Sequence, residues 1–339
     1  MLSAQPGAAG QGEERGGRSM SAKTSIQWTD RSWNPVRGCS IVSPGCTNCY
    51  AMKQAHRFSG KGQPYEGLTR MTARGPVWTG KIRFVSEALD EPLHWRKPQR
   101  VFVNSMSDLF HEDVPDEFID EVFAVMALAP RHTFQVLTKR PERMLGYFAE
   151  IEGRAMAIGT SIGDFFDIRG MRSIGEPLIN LAHGFDADSE NWDEGQGDQR
   201  ILPLANVHLC VSVENQATAD ERIPILLQTP AAVRFLSVEP LLERIDIEPW
   251  LPAAPHRRTG SQIVKRLERD VGCAAIDWVI VAGESGRNRR ECKVEEIEDV
   301  ARQCVAANVP VYVKQDSALR PGQQGRISDA IWALKDFPR

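Results

Sequence analysis

Short apolar runs rich in β-branched residues recur along the chain, and each is followed by a polar cluster and then by a longer segment with helical spacing. The runs at 26–28, 101–104 (VFVN), 134–137 (FQVL), 207–212 (VHLCVS), 234–238 (RFLSV), 278–281 (WVIV) and 310–313 (PVYV) predict strands, because continuous apolar runs of this length suit strands buried on both faces. Helices are predicted at 48–57, 82–90, 115–129, 140–149, 216–227 and 293–307. The helix at 115–129 opens on Pro115 followed by acidic residues, the favourable order at an amino end, where proline loses nothing and carboxylates meet the positive end of the dipole. Alternating strands and helices predict βα units around a parallel sheet. Seven such strands predict a full or partial TIM-like (β/α) barrel.

Two stretches break the alternation: 155–200, with FDADSENWDEGQGDQR at its end, and 245–270, with the basic pieces HRR and KRLERD. Both are expected as insertions, since structureless connections of this length are uncommon inside a compact domain. The Gly-, Ala- and Ser-rich residues 1–23 are expected to be a disordered leader, 24–318 a single barrel domain and 319–339 a C-terminal tail.

With 339 residues and 42% hydrophobic content, the chain can bury a large core. A net charge of −4 argues against coating nucleic acid by bulk charge, but leaves room for a local basic groove. The seven cysteines, at 39, 46, 49, 210, 273, 292 and 304, form an odd and clustered set. That usage fits metal binding plus core thiols better than a disulfide framework, and predicts a cytoplasmic protein. No apolar run reaches the length of about 18 residues that a membrane span needs, so no membrane partner is expected.

The polar clusters that follow the strands are Asn104–Asp108, Thr138–Arg140, Ser212–Asn215, Ser237–Pro240, Gly283–Gly286 and Lys314–Asp316. Parallel α/β folds place their ligands at the carboxyl ends of the strands, so these clusters are candidate site residues. Each also has a plain structural reading: Asp108 can cap a turn, Lys139 and Arg140 can be solvated, and Glu239 can pair with an interior arginine.

Cys39, Cys46 and Cys49 gather three thiols within eleven residues, with no fourth nearby. Structural zinc normally takes four protein ligands, whereas a [4Fe-4S] cluster held by three thiolates leaves one iron open. The segments TSIQWTDRSWNPVRGCSIVSPGCTNCYA (24–51), NSMSDLFHEDVP (104–115), LTKRPERM (137–144), SVEN (212–215), SVEPLL (237–242), VIVAGESG (279–286) and VKQ (313–315) resemble the phage Gp37/Gp68-type family (DUF5131), itself similar to radical S-adenosylmethionine enzymes such as spore photoproduct lyase. The spacing here is C-x6-C-x2-C, with Tyr50 after the last cysteine. Radical enzymes space the three as C-x3-C-x2-C, with an aromatic before the last.

The resemblance implies a radical-SAM-like barrel in which Cys39, Cys46 and Cys49 hold a [4Fe-4S] cluster and S-adenosyl-L-methionine binds the open iron. An external one-electron reductant would then drive its cleavage to a 5'-deoxyadenosyl radical that takes hydrogen from an unknown substrate, nucleic acid or nucleotide by analogy. Lys139 and Arg140 are implied at the catalytic centre. Tyr50, Asn104, Ser107, Asp108, Thr138, Glu214, Asn215, Glu239 and Glu284 are implied to bind the cofactor. Zinc completed by a residue such as His56, a metal-stabilised nucleic-acid-binding protein, and an electron-transfer or sensory Fe-S protein are the alternatives.

Overall fold

The computed structural model describes residues 24–150, 153, 158, 202–252 and 274–338. The expected leader, and most of both expected insertions, lie outside the described residues.

In chain order the elements are β1 (Arg31–Trp33), β2 (Val36–Arg37), α1 (Tyr50–His56), β3 (Thr69–Thr72), β4 (Gly75–Trp78), β5 (Arg83–Phe84), β6 (Arg100–Val103), α2 (Asp116–Leu128), β7 (Thr133–Thr138) and α3 (Pro141–Tyr147). They continue with β8 (Val207–Ser212), α4 (Gln216–Gln228), β9 (Val233–Val238), β10 (Trp278–Ala282), α5 (Val294–Ala306), β11 (Val311–Gln315) and α6 (Asp329–Trp332). Seven strands form one sheet in the order β1-β6-β7-β8-β9-β10-β11, and every neighbouring pair is parallel. No ladder joins β11 back to β1 among the described residues, so the sheet is a curled half-barrel rather than a closed barrel. This order is general to parallel α/β folds and does not single out the radical-SAM one.

Alternation along the strands sends successive side chains to opposite faces. Val103, Val136, Val211, Val238, Val281 and Val313 face outward into the main core, under the helices. On α5 the buried Ile297, Val300, Ala301 and Cys304 recur at helical spacing and form its sheet-facing stripe. Burying each large apolar side chain contributes about 1.5–3 kcal/mol. The opposite residues, Phe102, Cys210, Phe235, Trp278, Ile280 and Tyr312, form a second cluster on the concave face with Trp28.

Two expected elements differ. The predicted strand at 26–28 is not a strand: Trp28 instead turns into the concave face, 4.8 Å from Phe102 between ring centroids, and pairing begins at Arg31 opposite Val101. The predicted helix at 82–90 reduces to one 3-10 turn, Ser86–Ala88, because Arg83 and Phe84 pair with β2 as β5. Residues 319–338, set apart in the sequence as a tail, carry α6. Ile331, Trp332 and Leu334 pack against the main core, and the Phe337 ring lies 5.6 Å from Trp278 and 5.4 Å from Tyr312.

Helix α1 and the β3–β4 hairpin build a small core of their own from Ala51, Met52, Ala55, Leu68, Trp78 and Met106. This unit stands beside the carboxyl edge of the sheet. Among the described residues, no helix is long and apolar enough to cross a membrane.

Candidate functional site

The carboxyl ends of the strands open into a cavity of about 210 Å³. Asn104, Lys139, Ser212, Ser237, Glu239, Glu284 and Lys314 reach it from β6 to β11, Trp28 and Phe102 form part of its apolar wall, and the 39–50 segment covers it. Of the residues singled out in the sequence, Cys39, Cys46, Cys49, Tyr50, Asn104, Ser107, Asp108, Lys139, Arg140, Glu239 and Glu284 line this cavity. Thr138, Glu214 and Asn215 do not.

Asp108 is the hub of one wall. Its carboxylate accepts from Phe110 N at 3.0 Å, Thr138 Oγ1 at 2.8 Å, Lys139 N at 3.1 Å and Arg140 Nη1 at 2.9 Å. Arg140 also reaches Glu112 at 2.9 Å and Ser40 Oγ at 2.6 Å, so it ties the end of β7 to the cysteine segment. Burial works against the Arg140 charge, but Asp108, Cys39 and Glu112 beside it outweigh that and raise its pKa. Thr138 therefore braces Asp108, and Arg140 is spent on the wall.

Glu214 is fully buried. It accepts from Gly45 N at 3.1 Å and pairs with Arg222 at 3.2 Å, latching the cysteine segment onto β8. A Cβ on Gly45 would meet that carboxylate at 3.0–3.2 Å, so a side chain here would push on the latch. Asn215 caps α4: its side chain accepts from Thr218 N in a reciprocal capping box. Thr138, Glu214 and Asn215, expected to bind the cofactor, hold these structural contacts and do not line the cavity.

Other expected residues sit in the cavity already engaged. Glu284 accepts from Asn48 Nδ2 at 2.9 Å and Arg290 N at 2.6 Å. Burial pushes its carboxyl up, but the Arg290 guanidinium and these N–H donors outweigh it and leave the pKa below the usual carboxylate range. Glu239 forms an ion pair, with Lys314 rather than an arginine. Ser107 donates to Val36 O at 2.8 Å, and Tyr50 to Ser105 O at 2.8 Å. Asn104 ends β6 with φ at 58°, a left-handed conformation that asparagine tolerates better than most residues. Among the described residues its Nδ2 is buried without a partner, as is Trp28 Nε1.

The cysteines overturn the cluster expected of them. Among the described residues, no group of three or more His, Cys, Asp and Glu side chains is arranged to hold a metal ion. Cys39 donates to Ser40 O at 3.4 Å and receives Arg140 Nη1 at 3.9 Å, while Cys46 sits 3.9 Å from Ser43 Oγ. Burial first, then Asp108, push the Cys39 thiol up to about 12, and burial raises that of Cys49. The [4Fe-4S] centre, the S-adenosylmethionine assigned to its open iron, the radical chemistry, and the zinc and Fe-S alternatives all lose their basis. His56, the suggested fourth zinc ligand, sits 3.0 Å from Thr69 Oγ1 instead. Cys210, Cys292 and Cys304 are free and buried, and Cys273 lies outside the described residues.

The raised pKa sets an expected outcome. Iodoacetamide at neutral pH should modify Cys39 in the folded protein roughly a thousandfold more slowly than an ordinary thiol, and peptide mass spectrometry reads this directly. Alkylation at the rate of the urea-unfolded chain would contradict it.

Ser212 and Ser237 open two of the polar clusters, but the sequence gives neither a role of its own. They are register partners on β8 and β9, and both line the cavity. The signal for them is the alternation itself. Ser212 follows the inward Cys210 by two residues, and Ser237 follows the inward Phe235 by two. Trp28 and Phe102 likewise belong to the cavity wall, where the sequence analysis places both in predicted strands.

The family described as a protein of unknown function (DUF5131) matches residues 23–330. That description carries no activity and no tie to radical S-adenosylmethionine enzymes. No curated protein and no solved structure matches the chain.

Proposed function

We propose that this chain, which belongs to the DUF5131 family, binds a nucleoside phosphate in the cavity at the carboxyl edge of its sheet. The observation that carries the reading is a set of three donors without partners among the described residues. Lys139 is in no ion pair among the described residues, although Arg140 and Lys314, which also line the cavity, both are. The hydroxyls of Ser212 and Ser237 make no hydrogen bond within the described residues, and both residues line the cavity. An ammonium group and two adjacent hydroxyls, with no unpaired carboxylate beside them, suit an anion with several acceptor oxygens.

The wall next to these donors is aromatic. Trp28 and Phe102, with Ile26 and Leu137, supply an apolar surface of the kind on which a base packs. Glu284 and Glu239 stand further round the rim as acceptors for sugar hydroxyls or an exocyclic amine. The location agrees with the general rule for ligands of parallel α/β sheets.

Isothermal titration calorimetry with each nucleoside monophosphate and its parent nucleoside tests the reading. One monophosphate should bind, and its nucleoside should bind more weakly. Lys139→Ala should weaken the monophosphate by roughly 10- to 150-fold, equivalent to losing a charge-assisted hydrogen bond of about 1.5–3 kcal/mol, while nucleoside binding stays unchanged. Equal affinity for nucleoside and monophosphate, or an unaffected Lys139→Ala protein, would remove the phosphate from the account.

A further inference from the structure

The chain carries 41 Lys and Arg against 45 Asp and Glu, yet residues 50–83 hold seven Lys and Arg and the single acid Glu66. Those 34 residues span α1 and the β3–β4 hairpin, the unit with its own small core beside the cavity. A protein with an acidic balance has concentrated positive charge on one element. Such segregation creates a local field that attracts anions even where the net charge does not.

Most of these cations are not used by the fold. Arg83 is, donating to Pro64 O at 3.0 Å and Glu66 O at 2.8 Å, and Arg57 reaches only its helix neighbour Gln54 at 3.4 Å. The side chains of Lys53, Lys61, Arg70, Arg74 and Lys81 form no ion pair and no hydrogen bond among the described residues. Lys61, Arg70, Arg74 and Lys81 are exposed, and exposed apolar side chains are interleaved with them: Phe58 is 46% and Met71 61% accessible. The basic surface is also continuous with the cavity. Tyr50, the first residue of α1, lines it, and Lys53 Nζ stands 3.8 Å from the position a Cβ on Gly286 would occupy, in the turn that carries Glu284.

We infer that α1 and the β3–β4 hairpin form a docking surface for single-stranded nucleic acid, whose phosphates meet the unpaired lysines and arginines while one nucleotide enters the adjoining cavity. The inference rests on the proposed nucleoside-phosphate site and names its substrate class: a nucleotide within a strand. Cations alternating with exposed aromatic and apolar groups form the surface that tracks a single strand, through phosphate contacts and base stacking. The cavity takes a base only if that base is unpaired, which selects a single strand over a duplex.

Fluorescence anisotropy with a labelled single-stranded oligonucleotide across a salt series provides the test, alongside the same strand in duplex form, phosphatidylserine vesicles, and calorimetry with the monophosphate that binds best. The combined variant Lys61→Glu, Arg70→Glu and Arg74→Glu changes only exposed side chains outside the cavity. It should weaken the oligonucleotide at least about tenfold and flatten the salt dependence by about 2 in log–log slope, near 0.7 for each phosphate that the variant no longer neutralises on a single strand, while monophosphate binding is unchanged. The wild-type protein should prefer the single strand over the duplex by about tenfold or more, given the few kcal/mol needed to unpair a base. Monophosphate binding without oligonucleotide binding would overturn the docking surface and leave the cavity reading intact. Oligonucleotide binding without monophosphate binding would defeat the cavity reading, and with it the strand-threading inference. An unchanged triple variant, equal affinity for duplex, or vesicle binding in place of oligonucleotide binding would each overturn the proposal.

Discussion

Replacing Glu214 with alanine is expected to lower the unfolding free energy by about 3–5 kcal/mol, the range for removing one partner of a buried ion pair. Glu214 is 0% and Arg222 4% exposed at the side chain. Without the carboxylate, the guanidinium keeps, among the described residues, only Ser212 O, at 2.8 Å, and its Nε already lacks a partner there. Gly45 N loses its acceptor as well, so the cysteine segment is released from β8. Urea denaturation of the two proteins measures the difference. Combining Glu214→Leu with Arg222→Met should recover much of the loss, because both charges are then absent and the site is apolar. A Glu214→Ala protein within about 1 kcal/mol of wild type would mean that the latch contributes no more than an ordinary surface pair.

Asp108→Ala is expected to cost a similar amount, about 3–5 kcal/mol, and also to abolish ligand binding in the cavity. Four hydrogen bonds end on this carboxylate, two of them from the backbone N–H groups of Phe110 and Lys139. Their loss leaves Arg140, 9% exposed at the side chain, with Glu112, itself 61% exposed, as its one carboxylate partner among the described residues. The turn that presents Lys139 then loses its anchor. Stability by urea denaturation and affinity by calorimetry separate the two consequences. A destabilised but folded variant that still binds the monophosphate at wild-type affinity would show that Lys139 is positioned by something other than Asp108.

The two predictions treat as structural what the sequence offered as chemical. Glu214 stands at the end of a strand in a family-matching SVEN segment, and nothing local distinguishes it from Glu284. The difference is one of reach and direction. Glu214 points back under the cysteine segment, whereas Glu284 lies along the cavity wall, and both directions are set by contacts far away in the chain: Gly45 and Arg222 for one, Asn48 and Arg290 for the other. Asp108 joins both readings, since its contact to Phe110 N is the turn cap expected of it and its contact to Arg140 builds the wall.

The periodic elements were legible in the chain before any fold was known. α2 at Asp116–Leu128 and α5 at Val294–Ala306 fall within a residue of their expected bounds, and six of the seven sheet strands lie on the apolar runs that predicted them. Strand alternation and helical spacing are local, and burying the apolar set they define is enough to select them. The family was legible too, because its motifs span the chain. Whether the sheet closes, where strand pairing starts near Trp28, and whether three cysteines in eleven residues converge were matters for the tertiary structure alone. Convergence depends on the path of the loop between Cys39 and Cys46, which is held by Glu214 and Arg140 from β8 and β7. A spacing of residues sets how far thiols can be apart, but contacts from distant strands set where they point.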